Sequence, residues 1–487
     1  MAQSGQARVE RLHPLSEAAC RALLSRHLGR RVSRKLVRHA HASTAGNPLL
    51  LEQLALTLNT GQPTKDLGSW HLRPGGLVLS RFAGLPEEGL RCARAASVLG
   101  SRFRPEVATA LARLDGEEAD LAREALSRTG LVRQIDIGLA EFTHPLLRDA
   151  LYDDLPPLTR EALHARAFGI LSQRGMETEA AEHAARGNLL GDGSAIEVLT
   201  RSGQAALRTG AVAVATERLK RAVALAGDRP RADLLLLCGE ALLAEGRGHE
   251  AATVYERLLR QTDSAAETTT QALRMLGRAL FLSGDPVEGE RRFEQAAALA
   301  SKDHPTAAVQ AVLDLSRAAW LTAGPAGALP FLRRARETAR HADEACRAEI
   351  EAAWGFVAFV SGDPAGLEAT RAPARLAAAS DMSALRDLSW HWGSLRNSGR
   401  AAKYAERFDE AEAAFSAMFV QAERAQSAHA IVSLAAHHAD ALIRRGRLEE
   451  AVPLASRAVD LADLAPMAAG FAHVAQASLL VHFDQWE

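Results

Sequence analysis

At 487 residues the chain exceeds what a single hydrophobic core organises, so two to four domains are expected. Apolar residues make up 47% and aromatic residues only 5%, a helix-rich composition, and 58 basic against 59 acidic residues leave a formal charge of −1. No whole-molecule field therefore draws nucleic acid or an anionic membrane. Cys20, Cys92, Cys238 and Cys346 lie far apart with no C-x-x-C pair, which indicates neither a zinc cage nor a compact disulfide framework and fits a reducing, cytoplasmic setting. Residues 1–13 hold no apolar signal-peptide core, and no later run approaches the ~18 apolar residues of a membrane span, so no membrane association is expected. The expected fold class is all-α with a minor β wing.

Ser16 is placed to cap an amphipathic helix carrying Ala19, Leu23, Leu24 and Leu28 on one side, and a further helix runs from Ser33 to His41. Arg30, Arg31, Arg34, Lys35 and Arg38 form a basic stripe that reads as a solvated face rather than a nucleic-acid contact. Gly46-Asn47-Pro48-Leu49-Leu50-Leu51 marks a corner, because glycine frees the backbone and proline suits a first helical turn. After Leu85-Pro86 and an Ala95–Gly100 helix, residues Leu131 to Phe142 read as a short hairpin around Gly138. Phe142-Thr143-His144-Pro145-Leu146-Leu147-Arg148-Asp149-Ala150-Leu151-Tyr152 follows it. Glu161 to His164 supplies a single E-x-x-H where a di-iron bundle needs two. Glu179, Glu182 and His183 read as solvent-facing polar residues of one helix.

In their order and spacing the Gly46 corner, the Ala95 helix and the Phe142–Tyr152 segment resemble parts of the signal-transduction ATPases with numerous domains. The resemblance is closest to the large ATP-binding regulators of the LuxR type and covers about residues 9–185. It implies a helical lid remnant at 1–65 and a winged-helix domain at 66–160. It further implies that Gly46, Asn47 and Pro48 form a nucleotide-binding corner with Pro48 on adenine, and that His144 contacts the β-phosphate of ADP. ATP or ADP with magnesium is implied for a complete protein of this kind, whereas no cofactor is expected for this chain alone. The wing of such a domain acts as an internal switch in the family rather than as a DNA reader.

The second half carries glycine pairs seven residues apart: Gly203/Gly210, Gly239/Gly246, Gly277/Gly284 and Gly355/Gly362. Looser copies are Arg317/Gly324, Gly399/Glu406, Ala439/Gly446 and Ala477/Asp484, so that the second marker advances by 36 to 44 residues, a period of stacked helical units. The first marker is expected to let two helices approach closely, and the second to end the first helix in a left-handed cap. Alanines recur five and twelve residues past the second marker, at Ala215, Ala251, Ala411 and Ala451, and at Ala222, Ala296, Ala374 and Ala458. With Gly446-Arg447-Leu448-Glu449-Glu450-Ala451 at a turn, the pattern resembles the tetratricopeptide repeat over about residues 195–487, within a solenoid domain drawn at 161–487. Trp320, Trp354, Trp390 and Trp392, with Phe356 and Phe359, fall in first helices; they read either as core between repeats or as a groove on the inner face.

No lysine follows a glycine, so there is no phosphate-binding Walker A loop, and no H-E-x-x-H or G-x-S-x-G is present; this chain is not expected to be an enzyme. A helix-turn-helix is likewise not visible, so DNA is expected as a partner only through a domain absent here. The sequence ends inside a repeat, and residues after about Ala468 are expected to fray or to self-associate. Two readings stand side by side. One is a partial chain of an ATP-switched regulator whose solenoid senses a protein or small-molecule inducer, and the other is a self-sufficient helical-repeat scaffold.

Overall fold

The structure, a computed structural model, describes residues 13–59, 78–209, 211–261, 265–300, 305–341, 344–371, 394–424 and 428–483. The chain divides into two compact units, Met1–Leu189 and Leu190–Glu487.

The first unit begins with α1 (Glu17–Leu28), α2 (Arg34–Thr44) and α3 (Pro48–Asn59). Ser16 accepts from the Ala19 N–H and Ser33 from the Leu36 N–H, so each helix start has a side-chain acceptor for one of its orphan donors. Cys20 and Leu24 of α1, Val37 and Ala40 of α2, and Leu51, Leu54 and Ala55 of α3 close a small core. The basic residues at 30, 31, 34, 35 and 38 are all exposed.

Next come α4 (Glu87–Leu99), β1 (Arg102–Phe103), α5 (Pro105–Leu111), α6 (Gly116–Arg128), β2 (Val132–Asp136), β3 (Leu139–Phe142) and α7 (Pro145–Asp154). The three strands form an antiparallel sheet in the order β1-β3-β2. The expected hairpin is present, turning at Gly138 (φ 70°), with Val132 opposite Phe142 and Arg133 opposite Glu141. Glu141 accepts from Arg102 (3.2 Å) and Arg133 (2.8 Å), and Arg133 first, then Arg102, holds its carboxyl below the usual range. Phe103, Val132, Ala140, Phe142, Leu147 and Leu151 share one core with Leu50 of α3, which fastens the α1–α3 helices to the sheet. Helices α8 (Pro157–Gln173) and α9 (Glu177–Arg186) complete this unit.

The second unit is a tetratricopeptide-like α-solenoid of antiparallel hairpins. First helices are α10 (Gly193–Arg208), α12 (Ala232–Ala244), α14 (Ala266–Leu282), the first limb of α16 (Pro305–Thr338), α17 (Glu344–Val360), α19 (Ser394–Tyr404), α21 (Ala428–Arg444) and α23 (Pro466–His482). Second helices are α11 (Val212–Leu225), α13 (Gly248–Leu259), α15 (Pro286–Leu299), the second limb of α16, α18 (Ala365–Ala369), α20 (Phe408–Arg424) and α22 (Leu448–Asp460). The limbs of α16 meet at Gly324, whose φ of 69° and ψ of −159° break the helix just before Pro325.

The second markers behave as the pattern requires. Gly246, Gly284, Gly324, Gly362 and Gly446 all have positive φ, and Glu406, at the same place without glycine, is also left-handed at 59°. The first markers are sites of close approach. A Cβ added to Gly203, Gly239, Gly277 or Gly399 would stand 2.6, 2.3, 2.6 or 2.8 Å from the side chain of Leu219, Tyr255, Phe293 or Phe415. Each of those bulky partners lies sixteen residues further on, in the second helix of the same hairpin. Ala215, Ala222, Ala251, Ala296, Ala411, Ala451 and Ala458 are fully buried between helices. Gly210, Ala374 and Asp484 lie outside the described residues. Beyond Ala468, α23 is continuous to His482. One side of α23 packs on α21 and α22 through Ala468, Ala472, Ala475 and Leu479, while Phe471, Val474 and Val481 stay exposed.

Candidate functional site

The Gly46 corner is built by two consecutive left-handed residues, Ala45 (φ 46°) and Gly46 (φ 68°). A side chain at Gly46 would meet the backbone of Leu15 at 2.5 Å, and the Leu15 N–H donates to the Gly46 carbonyl at 2.9 Å. The position therefore requires glycine on two counts, conformation and space. Asn47 caps α3 by accepting from the Leu50 N–H (3.3 Å), and Pro48 occupies the exposed first helical position, where its missing N–H is not needed. His144 is half-buried and caps α7, its Nδ1 accepting from the Leu146 N–H at 3.2 Å. With Nδ1 committed as acceptor, the neutral ring carries its proton on Nε2, a donor suited to a phosphate oxygen. Two residues past Pro48, Leu50 enters the same core as Leu147, three past His144. Pro48 presents an apolar ring and His144 an imidazole Nε2, and no lysine follows a glycine anywhere in the sequence.

Elsewhere in this unit, His183 corrects the solvent-facing expectation. Glu179 and Glu182 are exposed, but His183 is 6% exposed and His164 1%, and their Nδ1 atoms are hydrogen-bonded at 2.8 Å. Tyr152 Oη lies 3.0 Å from His164 Nε2, and the guanidinium of Arg148 sits 4.4 Å above the Tyr152 ring. Burial, then His183 and nearby arginines, pushes His164 down to about 3. Burial, then Arg186, pushes His183 down to about 4. Both rings are neutral at pH 7, and one Nδ1 donates to the other. Helical periodicity alone could not find this pair, because α8 and α9 are brought together only by packing.

In the solenoid, first-helix residues three before and one after the first marker repeatedly form the inner face. Thr200, Gln204, Leu236 and Glu240 occupy those places and, with Gln271 and Met275, line a cavity of about 400 Å³. Further along, the same places hold buried charge: Arg274, Arg278, Asp314, Arg396 and Arg400. Asp314 accepts from Arg274 Nε at 2.7 Å and from Arg278 Nη2 at 2.9 Å. Lys403, 1% exposed, pairs with Asp440, which also accepts from Arg444 at 3.2 Å. Arg317, at a first-marker position where most repeats place a small residue, is 8% exposed. Burial, then the Arg400 guanidinium, works against its charge.

The candidate tryptophans separate. Trp320 is partly buried with its ring 5.5 Å from Phe356, and Arg400 lies 4.2 Å from Phe356 and 5.9 Å from Trp320. Trp354 sits beneath Arg336 of the second limb of α16, 3.9 Å from its ring, so it belongs to the packing between that hairpin and the next. Trp390 and Trp392 lie outside the described residues. Among the described residues no group of three or more potential metal ligands occurs, no helix is long and apolar enough to cross a membrane, and Cys20, Cys92, Cys238 and Cys346 are buried and form no disulfide.

No family model and no curated protein matches the sequence. Several solved structures are similar to the chain. A signal-transduction ATPase with numerous domains and a tetratricopeptide repeat sensor, from Pyrococcus horikoshii, is 12% identical with a TM-score of 0.41, over 96% of this chain and 70% of that one. Yeast Tom70 is 14% identical with a TM-score of 0.40, over 94% and 82%. Aspartyl phosphate phosphatase F from Bacillus subtilis is 10% identical with a TM-score of 0.37, over 86% and 96%.

Proposed function

We propose that this chain is the switch-and-sensor portion of an ATP-switched transcriptional regulator of the LuxR type. In this reading its first unit supplies the lid and winged-helix wall of a nucleotide site, and its solenoid senses a protein or small-molecule inducer. The observation that carries this is the pairing of an exposed Pro48 at a glycine-locked corner with a His144 whose Nε2 proton is left available, both anchored in one core through Leu50 and Leu147. An imidazole committed at Nδ1 is fixed in tautomer and orientation, which is what a phosphate sensor needs. DNA is then reached only through a separate helix-turn-helix domain, and hydrolysis requires a separate Walker A core.

The test is to read the adjoining DNA for an in-frame Walker A upstream and a helix-turn-helix downstream, and to measure ADP binding by the longer product. Pro48→Ala and His144→Ala are each expected to weaken that binding about tenfold, near 1.4 kcal/mol. Authentic start and stop signals at the ends of this sequence would reject the reading. They would favour the scaffold alternative, which the absence of any lysine after glycine and the inner-face cavity on α10, α12 and α14 both accommodate.

A further inference from the structure

We propose that the inner face of the solenoid between α16 and α21 binds a compact oxyanion carried beside a hydrogen-bond donor, with Asn397 and Arg400 as its polar contacts and Trp320 and Phe356 as its wall. The inference rests on the reading of the solenoid as the sensing unit and names the chemistry it senses.

Asn397 is fully buried, and neither its amide nitrogen nor its amide oxygen has a hydrogen-bond partner. Such a group is rare in a folded interior, because its desolvation is not compensated. It sits two residues before the first marker Gly399, on the inner-face register that lines the cavity further up the solenoid at Met275. Arg400, three residues on and therefore beside it on the helix, is 9% exposed, and its Nε has no partner. Its guanidinium is already laid against Phe356 and near Trp320 and is hydrogen-bonded to Tyr404, which together fix its direction while its Nε stays unpartnered.

The surroundings favour an anion. Arg317 and Arg396 take part in contacts of their own, and what they add at Arg400 is field, since burial and mutual repulsion among these three work against the charge on Arg317 and Arg396. Glu349 acts on Arg396 in the opposite direction. His437, buried on the neighbouring α21, is held neutral by burial and then by Arg400, Lys403 and Arg396. Asp314 and Asp440 are engaged by Arg274 and Arg278, and by Lys403 and Arg444. A carboxylate or phosphate would take donors from Arg400 and from the Asn397 amide nitrogen. The Asn397 oxygen then calls for a donor on the ligand, and the ring wall for an adjoining flat apolar group.

Hippurate presents all three features, a carboxylate, an amide N–H and a ring. Its neutral amide lacks only the charge. Purified full chain is titrated with hippurate, hippuramide, inorganic phosphate and a short peptide ending in a free carboxylate, at matched ionic strength, reading melting temperature and tryptophan fluorescence. Hippurate is expected to raise Tm by about 2 °C or more at saturating concentration and hippuramide to do nothing. Arg400→Gln and Asn397→Ala, each checked for native helix content, are expected to weaken the response at least tenfold, with partial retention in Arg400→Lys. A stronger response to the peptide than to hippurate assigns the oxyanion to a chain end, and the converse assigns it to a free small molecule. Equal responses to hippurate and its amide, no response to any anion, or a response unchanged in both variants would overturn the site. Any of these, obtained while Pro48 and His144 still govern nucleotide binding in the longer product, would leave the switch reading standing.

Discussion

Acid should unfasten α8 and α9 before it unfolds the rest of the chain, because the His164–His183 pair is buried neutral. Both folded values, about 3 and about 4, lie below the ordinary histidine value near 6.5. Between pH 4 and 6.5 the unfolded chain therefore binds more protons than the folded one, so stability is complete above pH 6.5 and declines as pH falls through that window. At pH 5 each ring sits about 1.5 pH units below its unfolded value, which corresponds to about 2 kcal/mol, or about 4 kcal/mol for the pair. The measurement is hydrogen exchange with mass detection on peptides from α7 to α9 at pH 7.5 and 5.0, corrected for intrinsic exchange. The opening free energy of these helices should fall by about 4 kcal/mol in the native chain and by about half that in His183→Gln, which keeps an acceptor for His164 and removes one titrating ring. Equal acid losses in the two proteins would refute the assignment of the pH dependence to this pair.

Gly239→Ala should cost about 1–3 kcal/mol in urea unfolding, because the new methyl overlaps the Tyr255 ring, and far less in a Tyr255→Leu background; additive costs would contradict the contact. Asp314→Asn should destabilise the solenoid by about 3–5 kcal/mol, since it weakens the buried acceptor shared by Arg274 and Arg278, and a loss below about 1 kcal/mol would place the compensation elsewhere. The isolated chain should not turn over ATP; steady hydrolysis abolished by changing His144 would overturn this. It should bind DNA only weakly and with strong salt sensitivity, as its balanced charge implies, and tight binding to one operator at physiological salt would contradict that.

Features fixed by short-range physics were legible in the sequence. The Gly46 corner, the Gly138 hairpin and the left-handed second markers each depend on one residue's backbone freedom, and a period near forty residues exposes the last of these repeatedly. The bulky partner sixteen residues past Gly203, Gly239, Gly277 and Gly399 was also readable, at Leu219, Tyr255, Phe293 and Phe415, but only once the hairpin geometry supplied the offset; Gly355 instead approaches the Gly366 carbonyl. The cation seam was not legible in the same way. Its arginines come from α14, α16 and α19, with His437 on α21, and only stacking of first helices brings them into line. One signal did point to it, since Arg317 stands where most other repeats carry glycine or alanine.

The pairing of a first-helix glycine with a ring or leucine sixteen residues later has a kinetic consequence. Four hairpins close on such a contact of short sequence separation, so the loop entropy for zipping one of them is small and does not grow with the number of repeats. The array should therefore assemble and come apart in hairpin-sized steps, four of them nucleated where a glycine meets a leucine or an aromatic ring. Under mechanical load applied to its ends, the extension trace should show a series of increments of about forty residues of released chain rather than one rupture.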